Sequence, residues 1–357
     1  MSGADPNSDV IEVRADERFD EARVAAFVRG PLGVGELPLT VRQFGGGHAN
    51  LTYLLRFGDG SDVREFVLRR PPLGPVAPGS HDMSREHRVL SVLWKAFPLA
   101  PRSYLFCDDP ALIGAPFFVM ERRQGIVVRG VIPAAFGGGD DEVANRKLAS
   151  VVVDVLADFH AVDPRQAALG DLGRPEGFLE RQVTGWTGRW ERSKVEEFPL
   201  ADELQKWLLD NLPVSPAPTL LHNDWRLDNM AVAADDPGRC VAVYDWDMCT
   251  RGDPLCDLGT VLAVWYDPGE VPGSLNPMPT LAQGFLRREE AAERYAERSG
   301  RDLSLLPYYL VFGTFKMAVV LQQIYFRFHQ GQTQDARFAG MREGAKALFR
   351  LADTRRP

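Results

Sequence analysis

Apolar positions early in the chain recur at every second residue, the spacing of a half-buried strand. Leu39-Thr-Val-Arg-Gln-Phe44, Leu51-Thr-Tyr-Leu-Leu-Arg-Phe57 and Glu65-Phe-Val-Leu-Arg69 predict three strands. Gly45-Gly-Gly47 and Gly58-Asp-Gly-Ser61 divide them as turns, which makes an antiparallel meander. Ahead of it, residues 1–18 read as a loose polar tail, and Asp20 to Val28 as a short helix stopped by Gly30 and Pro31. Past the Pro/Gly loop Pro71–Pro78, the spacing of Val89, Leu90, Leu93 and Trp94 predicts a helix over Met83–Phe97. Phe117-Phe-Val-Met120 is a further apolar strand that ends in the charged run Glu121-Arg-Arg123.

Beyond that run the helical period takes over. It predicts helices over Leu148–Val162, 178–195 and 200–212, and a mostly helical chain from about 256 onward. One interruption is strand-like: Met230-Ala-Val-Ala-Ala234 and Cys240-Val-Ala-Val-Tyr244 flank the turn Asp235-Asp-Pro-Gly-Arg239 and predict a hairpin. The expected fold is α+β in two lobes: a β-rich lobe over 19–121 with one helix, then a larger helical lobe over 122–357.

Composition narrows the setting. With 45% hydrophobic and 25% charged residues the chain is of ordinary globular type. The net charge of −8, with no Lys/Arg run, excludes a phosphate-backbone track, so no nucleic-acid partner is expected. Cys107, Cys240, Cys249 and Cys256 form no C-x-x-C pair, and so few cysteines suit a reducing compartment. Met1 to Asp20 has neither a basic nor an apolar leader region, so a cytoplasmic location is expected. The most apolar late stretch, Tyr308–Phe326, encloses Lys316, Gln322 and Gln323 and reads as a buried helix, leaving no membrane partner.

The residues that suggest chemistry surround the hairpin. Leu221-His222-Asn-Asp224-Trp-Arg-Leu-Asp-Asn229 precedes it, and Val243-Tyr-Asp245-Trp-Asp247 closes it. Phosphoryl transfer from ATP needs a carboxylate to orient or deprotonate the attacking hydroxyl, and Asp and Asn oxygens to hold Mg²⁺ on the phosphates. A hairpin returns Asp245 beside Asn229, with Asp224 on the loop just before.

His222-x-Asp224-x-x-x-x-Asn229 followed by Asp245 resembles the catalytic segment of the aminoglycoside phosphotransferase and choline kinase-like families, distant relatives of protein kinases. The resemblance runs along most of the chain. Phe44-Gly-Gly-Gly-His-Ala-Asn-Leu-Thr-Tyr53 is similar to the nucleotide loop, Arg85-Glu86-His-Arg-Val-Leu90 to the helix with an acidic partner, and Asp245 to Gly259 to the metal-binding strand end and following turn. Arg181-Gln-Val-Thr-Gly-Trp186 and Tyr325-Phe-Arg327 resemble a subgroup related to the kinase-like region fused to some acyl-CoA dehydrogenases.

The resemblance implies a bilobal protein-kinase-like fold that moves the γ-phosphoryl group of ATP, with Mg²⁺, onto a hydroxyl of a small molecule. In it Asp224 is the base, Asn229 and Asp245 bind Mg²⁺, and Gly45, Gly46, Gly47 and Asn50 form the nucleotide loop. Glu86 pairs with a phosphate-gripping cation, and Met120-Glu121-Arg122 is the hinge that meets adenine. Alternatives are a hydroxyacyl-thioester acceptor and a nucleotide-binding pseudokinase with a regulatory role.

Two departures stand out. Arg69 occupies the place of the family's Lys, keeping the charge but changing reach and geometry. Asn223 precedes Asp224 where protein kinases have Arg, and Asp-Phe-Gly and Ala-Pro-Glu are absent, which speaks against protein substrates. Arg69 alternates with Phe66 and Leu68, so it is expected to meet Glu86, with Arg70 on the other strand face, exposed or bound elsewhere.

Plainer readings stand beside these. Gly45 to Gly47 read equally as a simple turn, and Glu86 as a solvated helix residue. His160 and His222 read as structural, Asp253 and Asp257 as caps, with Asp257 a brace for the catalytic loop. Trp265, Tyr266, Tyr308 and Tyr309 read as core or as pocket lining.

Overall fold

The strand pattern of the first third builds one antiparallel sheet. In this computed structural model, which describes residues 10–45, 50–74, 82–270, 278–333 and 335–357, the strands run β1 (Val10–Ile11), β2 (Leu39–Phe44), β3 (Leu51–Phe57), β4 (Arg64–Arg70), β5 (Ser103–Cys107) and β6 (Phe117–Glu121). Their spatial order is β1-β2-β3-β4-β6-β5. Side chains alternate across it. Tyr53, Leu55, Phe57, Phe66, Leu68, Phe117 and Val119 face one apolar cluster together with Val24 and Val28. Val67, Phe118 and Met120 face a second, much larger one. By the same alternation Arg69 shares the face of Val67, and Arg70 that of Leu68.

Helices α1 (Glu21–Leu32), α2 (Met83–Leu93) and α3 (Pro110–Ile113) complete this part. The α1 helix continues past the expected stop at Gly30-Pro31. Pro31 lies in its last turn, where a missing N–H forfeits a single bond, and Gly33 at φ 64° caps the end instead. Asp82 caps α2 by accepting from the Ser84 and Arg85 amides at 3.0 and 3.1 Å.

The chain leaves this sheet at Glu121 and joins another at β7 (Ile126–Val127), then runs through α4 (Glu142–His160), α5 (Phe178–Ser193), α6 (Pro199–Asp210) and β8 (Thr219–Leu221). The expected hairpin is β9 (Met230–Ala233) and β10 (Asp236–Val243), with β7 on the outer edge of β9. β10 begins inside the segment read as the turn, and register shifts between Asp236 and Ala242 absorb the extra residues. β11 (Thr250–Gly252) pairs with β8, and α7 (Pro254–Ala263), α8 (Arg288–Ser299), α9 (Leu306–His329) and α10 (Met341–Thr354) follow. The architecture is an α+β, bilobal kinase-like fold.

Two glycines bring α7 and α9 together. A Cβ at Gly259 would meet the Tyr309 carbonyl oxygen at 2.5 Å, and one at Gly313 the Gly259 carbonyl oxygen at 2.5 Å. α9 is long and apolar enough to cross a membrane by length and composition, but 61% of its most apolar stretch is buried inside the protein. Trp265, Tyr266, Tyr308 and Tyr309 are buried, which makes them core; the Tyr308 hydroxyl donates to Leu208 O at 2.9 Å.

Candidate active site

The loop after β8 is built on hydrogen bonds to α7. Asp257, in the first turn of that helix, accepts the N–H groups of His222 (2.7 Å) and Asn223 (2.8 Å) on its two carboxylate oxygens. Burial pushes the Asp257 carboxyl up, but the hydrogen bonds and charges of His160 and then His222 more than offset this and lower it net. Asn223 takes a left-handed conformation (φ 66°), which Asn tolerates better than most residues, and its side chain donates to Met248 O at 2.8 Å. His222 is buried between elements: Nε2 donates to Tyr244 O at 2.8 Å, and Nδ1 accepts the Asp224 N–H at 3.3 Å. Trp225 donates to Val152 O at 2.9 Å and stacks on Phe159.

This scaffolding leaves Asp224 partly exposed at the loop's outer side. Asn229 is tied to it, Nδ2 donating to the Asp224 carbonyl at 2.8 Å and to its Oδ2 at 2.9 Å. The hairpin then closes as expected: Tyr244 N–H donates to Asn229 O at 2.8 Å, which sets Asp245 beside Asn229. Asp245 is itself left-handed (φ 65°), a strained conformation of the kind that clusters at functional sites.

Arg69 reaches this corner from β4. Its guanidinium donates to Glu86 Oε1 at 2.7 Å and also binds Asp245. Glu86 is fully buried and accepts the Trp246 N–H at 3.3 Å on the same oxygen. Burial lowers the Arg69 guanidinium, but Glu86 and Asp245 more than reverse this and hold it charged. Burial pushes the Glu86 carboxyl up against the pull of Arg69, and the Asp245 and Asp247 charges push it further. Asp247 is raised to about 6 by burial and then by Asp245. Two carboxylates thus share one guanidinium, and the charge of a third, Asp247, acts on it as well. Arg70 points to the other face, buried, and donates to Ile113 O at 2.7 Å.

The remaining sequence candidates are spread along the sheet. Gly45 follows β2 and Asn50, just ahead of β3, is buried, while Gly46 and Gly47 lie outside the described residues. Met120 is buried in β6, opposite Val67 and Ser103. The Glu121 N–H is committed to Arg102 O at 2.8 Å, and Arg122 is paired with Glu65. His160 proves structural, with Nδ1 on the Tyr295 hydroxyl at 2.7 Å and Nε2 3.4 Å from Asp257. Asp253 caps α7 through the Leu255 N–H at 2.9 Å.

Lys316 is the residue sequence reasoning passed over. From the middle of α9 it donates to Asn223 O at 2.8 Å, with the Trp186 ring centroid 5.6 Å from its ammonium. The signal was present as a lysine inside an otherwise apolar helix.

Among the described residues, no group of three His, Cys, Asp or Glu could hold a metal unaided. That donor set still fits Mg²⁺, which is usually held by one or two carboxylates plus substrate phosphates. Asn229 has committed Nδ2 to Asp224, so Oδ1 is the atom that would face a metal, and Asp245 would add a hard carboxylate within a cluster rich in negative charge.

A bilobal fold with an Asp–Asn–Asp corner between sheet and hairpin defines a kinase-like phosphotransferase class. The phosphotransferase enzyme family matches residues 40–303, and the chain belongs to that family. It is 33% identical over 343 residues to acyl-CoA dehydrogenase family member 11 of Mus musculus, covering 92% of this chain and 42% of that protein. The chain therefore spans less than half the length of that relative. A Ralstonia eutropha structure described as a candidate aminoglycoside phosphotransferase is 28% identical, with a TM-score of 0.77, covering 94% of this chain and 99% of the other. An aminoglycoside phosphotransferase in complex with AMP-PNP and hygromycin B shares the fold at 18% identity and a TM-score of 0.56, covering 92% and 98%.

Proposed function

We propose that the protein is an ATP- and Mg²⁺-dependent phosphotransferase that phosphorylates a hydroxyl of a small molecule. The observation that carries this is the convergence of Asp224, Asn229 and Asp245, tied by the Asn229–Asp224 bonds and by the Tyr244–Asn229 bond that closes the hairpin. Residues 19–121 form the nucleotide lobe in this reading, and 122–357 the catalytic and acceptor lobe.

Asp224 orients the acceptor hydroxyl and takes its proton as the oxygen bonds to the γ-phosphorus and the bond from that phosphorus to the β,γ-bridging oxygen breaks, releasing ADP; the role needs an ionised carboxylate at hydrogen-bond distance. Asn229 Oδ1 and Asp245 would hold Mg²⁺, which neutralises phosphate charge when bound. Arg69, kept charged by Glu86, grips the phosphates, and nucleotide binding draws it away from Asp245. Backbone groups around Met120–Arg122 other than the Glu121 N–H meet the adenine. The AMP-PNP complex of the fold relative supports nucleotide use.

For the acceptor, a hydroxyacyl thioester has specific support. The matched relative is named an acyl-CoA dehydrogenase family member. Lys316 donates to Asn223 O at 2.8 Å, which puts a positive charge beside the loop carrying Asp224. ATP consumption with Mg²⁺ against hydroxyacyl thioesters, amino sugars and simple alcohols tests the reading. Asp224→Asn should lose about 10²–10⁴-fold in turnover while keeping ATP affinity. Nucleotide binding without turnover on any acceptor would favour the pseudokinase alternative.

A further inference from the structure

We infer that Lys316 is a positioning residue that clamps the Asn223–Asp224 peptide and so fixes the direction of the Asp224 carboxylate. The inference rests on the phosphotransferase reading above. The peptide is held at both poles: its carbonyl accepts from Lys316 Nζ at 2.8 Å, and its N–H donates to His222 Nδ1 at 3.3 Å. The preceding N–H, on Asn223, goes to Asp257 at 2.8 Å. Two helices thus grip one residue, α7 through its N–H and α9 through its carbonyl.

The grip has a physical purpose. A non-glycine residue in the left-handed region is strained and persists only where its surroundings over-determine it. Asn223 is such a residue, and rotation of the plane that follows it would swing Asp224. A lysine is also a costly way to fill an apolar helix. Burial pushes the Lys316 ammonium down, while the charges of Asp224 and Asp257 pull it back up. The Trp186 face and the Asn223 carbonyl complete its solvation. A methionine would fill most of the same volume without that cost, so the ammonium is retained for what it holds.

The test compares Lys316→Met, which removes charge and donor but little volume, with Lys316→Arg, which keeps both. Lys316→Met should lower kcat by about 10²-fold, the scale expected of a misplaced catalytic group, while the KM for ATP stays unchanged. Lys316→Arg should recover at least about tenfold of that loss. Hydrogen exchange in peptides spanning residues 222–229 should accelerate in Lys316→Met and remain slow in α4 and α10. A folded Lys316→Met protein with wild-type kcat or with wild-type exchange over 222–229 would overturn the clamp. Should Lys316→Met not fold, Lys316→Gln, whose amide stops short of Asn223, gives the same two readouts. Wild-type protein that turns over no acceptor would defeat the functional reading alone, because the exchange measurement still decides the clamp.

Discussion

Arg69 stands where two demands meet, since it must neutralise a buried glutamate and grip a phosphate. Arg69→Ala leaves Glu86 buried without a counter-charge, which should cost about 3–5 kcal/mol in denaturant unfolding. It should also weaken binding of a non-hydrolysable ATP analogue in calorimetry, whereas Arg69→Lys, which keeps the charge, should remain active. Unchanged nucleotide affinity in Arg69→Ala would remove the residue from that role. The side of the strand on which Arg69 lies was legible because Phe66 and Leu68 alternate with it. The partner of Arg70 was not, because the Ile113 carbonyl lies 43 residues away and a backbone acceptor leaves no mark in sequence. His160 carries a pH dependence. Burial pushes its imidazole below the ordinary value, with Asp257, Asp253 and Tyr295 facing it and Arg301 nearby. Above about pH 6.5 both folded and unfolded states hold it neutral and its contribution is complete. As pH falls further, the unfolded chain takes up a proton that the folded one refuses, and stability is lost. This loss falls between about pH 7 and 5 and is set against the raised Asp247 and Glu86 carboxyls, which add stability as they take up protons there, so His160→Gln should make the unfolding midpoint fall less, or rise more, on acidification than it does in the wild type. His87 is shifted in the same direction and remains in both proteins as a constant background. Equal slopes in the two proteins would show that His160 does not titrate in this window.

At the scale of elements, the pairing of α7 with α9 matters most, because each helix delivers one half of the grip on Asn223. Gly313→Ala would place a Cβ 2.5 Å from the Gly259 carbonyl oxygen and 2.9 Å from Thr260 Cα. Both obstacles are backbone, so the helices must separate. Overpacking of this kind costs roughly 1–3 kcal/mol, and the separation should move Asp257 and Lys316 apart and lower kcat as well. Gly30→Ala is the control: nothing lies within 4 Å of its Cβ in α1. It should leave kcat untouched and shift stability by about 0.5–1 kcal/mol in the favourable direction. A Gly313→Ala protein with normal kcat and midpoint would mean that the helix spacing is free to adjust. β2 to β4 were readable from alternation and β6 from its continuous apolar run, as was the β9–β10 hairpin. α4 begins at Glu142 rather than Leu148, because Asp141 caps it through the Val143 and Ala144 amides at 3.0 Å before the apolar period sets in. β5 went unread: Tyr104 and Phe106 are only half-buried, so the four apolar-looking residues after Ser103 hide the alternation that burial reveals.

For the whole molecule, the two-lobe order followed from the change of hydrophobic period near residue 121, but the division of the core did not. One face of the sheet, through Val67, Phe118 and Met120, is continuous with the helical core, while the other, with α1, has a cluster of its own. Pairing partners that close a sheet across long sequence separations are chosen by packing, so pattern alone could not assign these faces. The proposed nucleotide site lies where the two parts meet, drawing Arg69 from the sheet and Asn229 and Asp245 from the hairpin. A ligand held from both sides stabilises the folded chain by mass action, about 2.7 kcal/mol at a hundredfold excess over Kd. At roughly 2 °C per kcal/mol for a long chain, the unfolding midpoint should rise about 5 °C with Mg²⁺ and a non-hydrolysable ATP analogue. The rise should shrink when EDTA replaces Mg²⁺ and nearly vanish in Asp245→Ala, each protein being compared with its own ligand-free midpoint. That comparison matters because Asp245→Ala also removes one of the carboxylate partners of Arg69 and alters the baseline. A full rise in Asp245→Ala would hand the metal to Asp247, whose carboxyl is half-buried beside the same corner and already raised to about 6. A rise that ignores Mg²⁺ in the wild type would leave Arg69 as the main phosphate contact and remove the metal from binding.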